Sequence, residues 1–362
     1  MEIFHLSFLN KSGMKKVLKQ VVGIDVAQDE LVVCLGKMYD DWTPVLVAHK
    51  TFTNKQKGFE GLISWVAKLT ESEIPVRYVM EATGVYHESF AYFLFEQNQD
   101  VSIVLPNKIS SFFRTLETKT ITDKTASEAI AMFGLEKKID RWEPPKGIYK
   151  RIQQLTRERG QLVDESTVIL NQIHAEKAGA FPDKMSIQRA QKRLALLKKQ
   201  KAEIMIEINK LIKTDEEVQK NVLLICSIPG IGLLTAATIL GETNGFNLIR
   251  NKKQLTSYAG LDVREKQSGT SVKGKSSISK RGNKLLRKAM HLPALSALQR
   301  NERFKAIFIR IVSRTSLKMK GVVAIQRKLL ELSFTVYKTQ KPYDKDYFNR
   351  NESIKEVEHV SI

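Results

Sequence analysis

Val21-Val22-Gly23-Ile24-Asp25 is a short run of apolar and small residues that ends on a carboxylate. A run of that length with no helical period reads as a buried strand, closed at Asp25. Working outward, residues 30–35 and 45–52 read as two further strands, and the short connections predict an antiparallel meander. Residues 57–68 place Phe59, Leu62, Ile63, Trp65 and Val66 on or near one face and predict a helix. A β-rich run at 76–80 ends on Glu81. A helix over 86–98 and a strand over 101–105, stopped before Pro106, come next. A helix over 123–133 follows, with Thr122 as its N-cap. Three strands followed by alternating helices and strands make this region α/β.

Beyond residue 149 the pattern changes to long, polar helix. Leu155, Leu162 and Ile169 recur every seven residues, with Ile152 and Ile173 on a nearby face. After a break at 179–183, Leu197, Ile204, Ile208 and Leu211 repeat at intervals of seven, four and three. Such spacing suits a coiled coil between chains or a helix pair packed on its own domain. From about 221 the chain becomes basic and mainly helical. Ile228-Pro229-Gly230-Ile231-Gly232 leads into an apolar helix-like run at 233–240, and resembles the turn of a helix-hairpin-helix element. Its Gly230 and Gly232 could expose amides to a phosphate, or be simple loop glycines. The segment 267–275 is small, polar and glycine-rich, and predicts a surface loop. A helix over 283–291 would align Lys284, Arg287, Lys288 and His291 as a basic stripe. The tail beyond Asp344 is polar. The expected domains are 1–145, 146–220, 221–345 and a tail at 346–362.

The chain has 362 residues and a formal charge of +20. From 245 to 300 there are thirteen Lys or Arg residues against Asp262 and Glu265 alone. A positive field confined to one region favours a polyanionic partner over general solubility. Two cysteines, Cys34 and Cys226, cannot build a disulfide scaffold or a cysteine zinc site. No apolar run reaches the length of a membrane span, and the first residues lack a secretion pattern, so a cytoplasmic setting is expected.

Asp25 and Glu81 each end a buried strand. Acids gathered at one sheet edge repel unless a cation sits between them, so they suit a divalent metal, with Asp123 at a helix start completing the set. The alternative is that they are ordinary turn and capping acids. Serine is a poor nucleophile without a base or metal, and Ser268 is not set apart by composition from Ser271, Ser276, Ser277 and Ser279.

The ordered motifs Gly23-Ile24-Asp25-Val26-Ala27, Glu81-Ala82-Thr83-Gly84-Val85-Tyr86, Thr122-Asp123-Lys124-Thr125, Ile228-Pro229-Gly230-Ile231-Gly232, Tyr258-Ala259-Gly260-Leu261, Gln267-Ser268-Gly269-Thr270-Ser271 and Ser279-Lys280-Arg281-Gly282-Asn283 run through nearly the whole chain. Together they resemble the IS110 family of insertion-sequence transposases, related to the Piv-type DNA invertases. The resemblance implies an α/β RuvC-like (ribonuclease H-like) domain, a coiled-coil insertion and a mainly α-helical, basic C-terminal domain bearing a catalytic serine. It makes Asp25, Glu81 and Asp123 the first three acids of an Asp-Glu-Asp-Asp metal set, and Ser268 the nucleophile. The fourth acid should stand three residues after the third, where this chain has Ala126. Glu128 lies roughly 140° around the helix from Asp123, a poor direct replacement.

The implied reaction is strand cleavage and exchange through a phosphoserine link. Mg²⁺ would assist, with Mn²⁺ an equally hard alternative. Lys273, Lys275, Lys280, Arg281, Lys284, Arg287 and Lys288 would neutralise phosphates. The implied partners are double-stranded donor and target DNA, a structured guide RNA encoded by the element, and further copies of the chain in a dimer or tetramer. The implied location is the bacterial cytoplasm, at the nucleoid when active. Two rivals stay open: a metal-dependent nuclease or junction resolvase that uses water, and a catalytically impaired nucleic-acid-binding derivative.

Overall fold

A computed structural model describes residues 15–82, 84–116, 120, 122–247, 249–264, 267–268, 272–273 and 277–344. The chain divides into two compact units, Met1–Pro144 and Pro145–Ile362.

The first unit contains β1 (Val17–Val26), β2 (Glu30–Tyr39), β3 (Pro44–Thr53), α1 (Gln56–Leu69), β4 (Val76–Glu81), α2 (Glu88–Glu96), β5 (Asp100–Val104), α3 (Pro106–Phe113) and α4 (Asp123–Glu136). Its sheet has the order β3-β2-β1-β4-β5. β1–β2 and β2–β3 are antiparallel, while β4 lies parallel to both β1 and β5. This mixed sheet fits the ribonuclease H-like reading of the sequence. α3 was not expected, because eight residues opened by Pro106 carry too short a period to register.

Side-chain alternation separates two layers. Val22, Ile24, Tyr78 and Met80 pack with Phe59, Leu62 and Phe90 of α1 and α2. Val21 and Val79 pack on the other face, with Ile109 and Phe112 of α3 and Ile130 and Phe133 of α4. α4 lies hard against β1. A β-carbon at Gly23 would overlap the Ala131 amide and the Ser127 carbonyl, both backbone groups. Gly23→Ala should therefore destabilise this unit by about 3 kcal/mol, the upper range for forced overpacking, as read from urea unfolding. A wild-type midpoint would show that α4 can lift away.

The second unit contains α5 (Gly147–Ala178), α6 (Lys184–Lys213), α7 (Glu216–Cys226), α8 (Leu233–Thr243), α9 (Lys252–Tyr258), β6 (Val263–Arg264), β7 (Gln267–Ser268), β8 (Val272–Lys273), β9 (Ser277–Ile278), α10 (Lys284–Ala289), α11 (His291–Arg300), α12 (Glu302–Thr315) and α13 (Lys318–Thr339). α5 and α6 form an antiparallel hairpin, shown by the cross-contacts Arg151–Glu207, Lys201–Ser166 and Arg193–Gln172. Its outer half is joined by Ile169, Ile173, Ala190 and Leu197. Its root, with Ile152, Leu155, Ile204 and Ile208, merges into the core of α7, α8, α11 and α13.

Two local expectations are corrected. The ends of the expected loop at 267–275 pair instead, Gln267 with Lys273 and Ser268 with Val272, as a two-rung hairpin. The helix expected over 283–291 stops at Ala289, and a new helix starts at His291. The stripe is therefore divided between two short helices. Among the described residues no helix is long and apolar enough to cross a membrane.

Candidate active site and nucleic-acid interface

The parallel register pairs Ile24 with Met80, so the next residues, Asp25 and Glu81, stand side by side at the ends of β1 and β4. The Val21–Gly23–Asp25 and Val79–Glu81 alternations point both carboxylates to the α4 side of the sheet. α4 runs back along β1: Gly134 meets Val21, and Ser127 and Ala131 meet Gly23. Asp123 lies one turn before Ser127, towards the Asp25 end. A capping box fixes that helix start, with Thr122 Oγ1 accepting from the Thr125 amide and Thr125 Oγ1 accepting from the Thr122 amide.

Asp25 feels the other two acids. Burial, then the charge of Asp123, then that of Glu81, push the Asp25 carboxyl up to about 6. A hydrogen bond from the Val26 amide opposes the rise. A cluster that resists its own ionisation is the electrostatic condition a hard divalent cation relieves. Among the described residues no three His, Cys, Asp or Glu side chains are already drawn to metal-holding distance. The donors thus fit the ion in type and charge without forming a closed cage.

Ala126 is half-buried on α4, and its methyl offers no ligand. Glu128 does not stand in for it. Its carboxylate bonds to Nε2 of His49 on β3 at 2.9 Å, towards the meander edge of the sheet.

In the second unit, Ser268 belongs to the β7–β8 hairpin, and the side chains of Ser268 and Lys273 and all of Lys275 lie outside the described residues. The stem below is well defined. Val263 and Arg264 pair with Ile278 and Ser277, and Ser279 Oγ donates to the Asp262 carboxylate at 2.5 Å. Lys280, Arg281 and Lys284 project into solvent next to this stem. Arg287 and Lys288 are engaged internally: Arg287 donates to the Ala259 carbonyl at 2.8 Å, and Lys288 pairs with Asp164 of α5. Gly230, at φ 91°, is pressed against α11, where a β-carbon would overlap the Pro293 carbonyl and stand 2.9 Å from the Ala297 amide. Gly232 is the N-cap of α8 and faces open space.

Sequence reasoning missed the polar centre that holds this stem. Glu242 of α8 has a side chain 1% exposed. Arg157 of α5 grips it with two bonds, at 2.8 and 2.9 Å, and Asn283 Nδ2 adds a third at 2.7 Å. Asn283 Oδ1 meanwhile caps α10 through the Leu286 amide, and Tyr258 Oη donates to the Glu242 carbonyl. The signal was present: Glu242 is the single charged residue between 221 and 249. Arg157→Ala should cost about 3–5 kcal/mol, because it leaves a buried carboxylate without its cation. Glu242→Ala should cost less, because the half-exposed guanidinium can rehydrate. The double variant should fall short of the sum of the two. Equal single losses that add fully in chemical unfolding would refute this coupling.

The comparisons bear on both units. An IS110 transposase family model with an acidic Asp-Glu-Asp-Asp signature matches residues 22–182. The model of the IS116/IS110/IS902 transposase family matches residues 222–308. The pilin gene-inverting protein of Moraxella bovis is 29% identical over 332 residues, covering 90% of this chain and 98% of that one. The transposase for insertion sequence element IS1111A of Coxiella burnetii is 23% identical over 303 residues, covering 76% of this chain and 77% of its own. Thermus thermophilus RuvC bound to a Holliday junction aligns with 34% of this chain at 10% identity, with a TM-score of 0.27, too distant to carry an argument. Matched in sequence through both of its units, the chain belongs to the IS110 family of transposases.

Proposed function

We propose that this transposase cuts and exchanges DNA strands through a covalent link to Ser268. The observation that carries the reading is the gathering of Asp25, Glu81 and Asp123 at one sheet edge, where their charges raise the Asp25 carboxyl. Asp25, Glu81 and Asp123 would hold a divalent cation, Mg²⁺ or Mn²⁺, whose positive charge favours a phosphodiester's developing negative charge. Ser268 Oγ attacks phosphorus. The serine–phosphorus bond forms as one phosphorus–oxygen bond of the strand breaks, and the serine proton ends on the departing DNA hydroxyl. A hydroxyl of a second DNA end then attacks the phosphoserine, and Ser268 regains a proton. The number of phosphoester bonds is conserved, so the exchange draws on no high-energy cofactor. Lys280, Arg281 and Lys284 would neutralise strand phosphates beside the hairpin, joined by Lys273 and Lys275. Arg287 and Lys288 serve this surface by anchoring it, through the Ala259 carbonyl and Asp164. Gly230 and Gly232 are candidates for backbone contacts to phosphate, with Gly232 the more open. A structured RNA from the element would supply base-pairing specificity, and further copies of the chain would complete a dimer or tetramer. The test is to mix protein, element-end DNA, the RNA and Mg²⁺, denature, and map any protein–DNA adduct. An adduct on the Ser268 peptide is expected; cleaved DNA with no adduct would overturn the serine reading.

A further inference from the structure

A second run of positive charge without acids lies apart from the serine hairpin in the sequence. Residues 184–201 hold seven Lys or Arg residues and no acid. They form the outer half of α6. The second half of the same helix, with Glu203, Glu207, Lys210 and Lys213, is mixed, and so is α5. An ordinary solvated helix face intersperses both signs, as those neighbours do.

The helix is sided. Ala190 and Leu197 face Ile169 and Ile173 of α5. Lys184, Lys192, Lys198 and Lys199 are all exposed. At 100° per residue they fall within about 120° of one another, along about 22 Å of axis. Lys199 has a loose pairing with Glu203 at 3.8 Å, while Lys184, Lys192 and Lys198 have no ion-pair partner among the described residues. The arrangement costs the helix stability. Arg189 and Arg193 stand four apart, and Lys198 and Lys201 three apart, both repulsive spacings. Lys184 also sits in the first turn, at the positive end of the helix dipole, an unfavourable place that the capping Asp183 carboxylate offsets in part.

We infer that this face of α6 is a second nucleic-acid contact, which lies along the phosphate backbone of duplex DNA away from the cleavage point. A polyanion relieves the repulsions just described, and straight cationic spacing suits the regular charge of a duplex. DNA is the committed partner because the family's relatives are transposases and a gene-inverting protein. The inference rests on the chain acting on DNA, and not on Ser268 being the nucleophile.

The test measures affinity of the full-length protein for a 40-base-pair duplex (a length of about four helical turns), across salt, without divalent metal. All proteins carry Ser268→Ala, so no strand chemistry enters. A further variant adds Lys184→Gln, Lys192→Gln, Lys198→Gln and Lys199→Gln. Each phosphate contact contributes about 0.9 to the salt slope, so the slope should fall by up to about 3–4. Between 50 and 200 mM salt, the parent should then lose up to about 10²-fold more affinity than the variant. Circular dichroism should show helix content and melting temperature retained or raised, since repulsion is removed. A loss of two charges at Lys57 and Lys68, exposed on α1, should leave the slope close to the parent's, against a fall of nearly 1 for each charge removed from α6. An unchanged slope in the α6 variant would overturn the proposal, as would, in a parallel titration with a structured RNA, a deficit confined to the RNA. Either failure leaves the adduct test on Ser268 intact.

Discussion

Ser268→Ala should bind element-end DNA within about twofold of wild type, yet form no protein–DNA adduct and no exchanged strands, a drop on the order of 10⁴-fold or more. The substitution removes the atom proposed to carry the covalent link. Ser268 lies on the Val272 rung of a short antiparallel ladder, where the backbone makes the pairing and alanine can replace serine without a conformational demand. Neighbouring serines provide the control. Ser279 is committed to Asp262, and Ser277 is a rung of the stem. Ser277→Ala should keep the adduct. Three results separate the readings. Loss of adduct and of cleavage together supports the serine link. Cleavage that survives Ser268→Ala favours a nuclease that uses water. If wild type binds without reacting, Ala126→Asp decides whether the missing fourth carboxylate limits the chemistry. Adduct restored by that change would place the defect at Ala126, and continued inactivity would favour a passive binder.

How much of this was legible in the sequence follows from where the physics is local. Val21 to Asp25 could be read as a strand ending on an acid because a buried strand leaves its mark in consecutive residues. The Thr122 cap was legible for the same reason, since its partner Thr125 is three residues away. The α5–α6 pair announced itself through its heptad spacing. The hairpin at Ser268 did not, because Gln267 pairs with Lys273 and Ser268 with Val272 with no hydrophobic alternation to show it. The break at Met290 did leave a mark in the sequence: Pro293 has no amide for the Ala289 carbonyl and its ring crowds that oxygen, so one helix does not run unbroken through both. The site shows the same division. Asp25 and Glu81 were found as strand ends, but Glu242 meets Arg157 and Asn283 from distant parts of the chain. The cationic face of α6 was present in the composition. It was passed over because the net charge of 245–300 drew the reading, and a helix's exposed side is known only once its buried side is.

Asp25→Asn should show two opposite effects in one protein: a more stable metal-free fold at neutral pH, and strand chemistry reduced on the order of 10³-fold or more. The second effect follows from losing a carboxylate where charge on the phosphate must be offset, since several kcal/mol of transition-state stabilisation corresponds to that range. The first follows from linkage. The Asp25 carboxyl is raised from 3.8 to about 6 by burial and by the charges of Asp123 and Glu81. The folded state therefore holds its proton more tightly than the unfolded chain does. Stability from that preference is fully present below about pH 4, and it is lost as pH rises to and beyond about 6. Two pK units correspond to at most about 3 kcal/mol, an upper limit because Asp25 is only partly buried. The asparagine cannot ionise and keeps an oxygen for the Val26 amide. In chelator its melting temperature should match wild type near pH 4 and exceed it by several degrees at pH 7.5. Added Mg²⁺ should narrow that gap by stabilising wild type and leaving the variant nearly unmoved. A variant no more stable than wild type at pH 7.5 in chelator would mean that the three acids do not repel in the folded protein. The electrostatic case for a cation at this sheet edge would then fail, whatever happened to the chemistry.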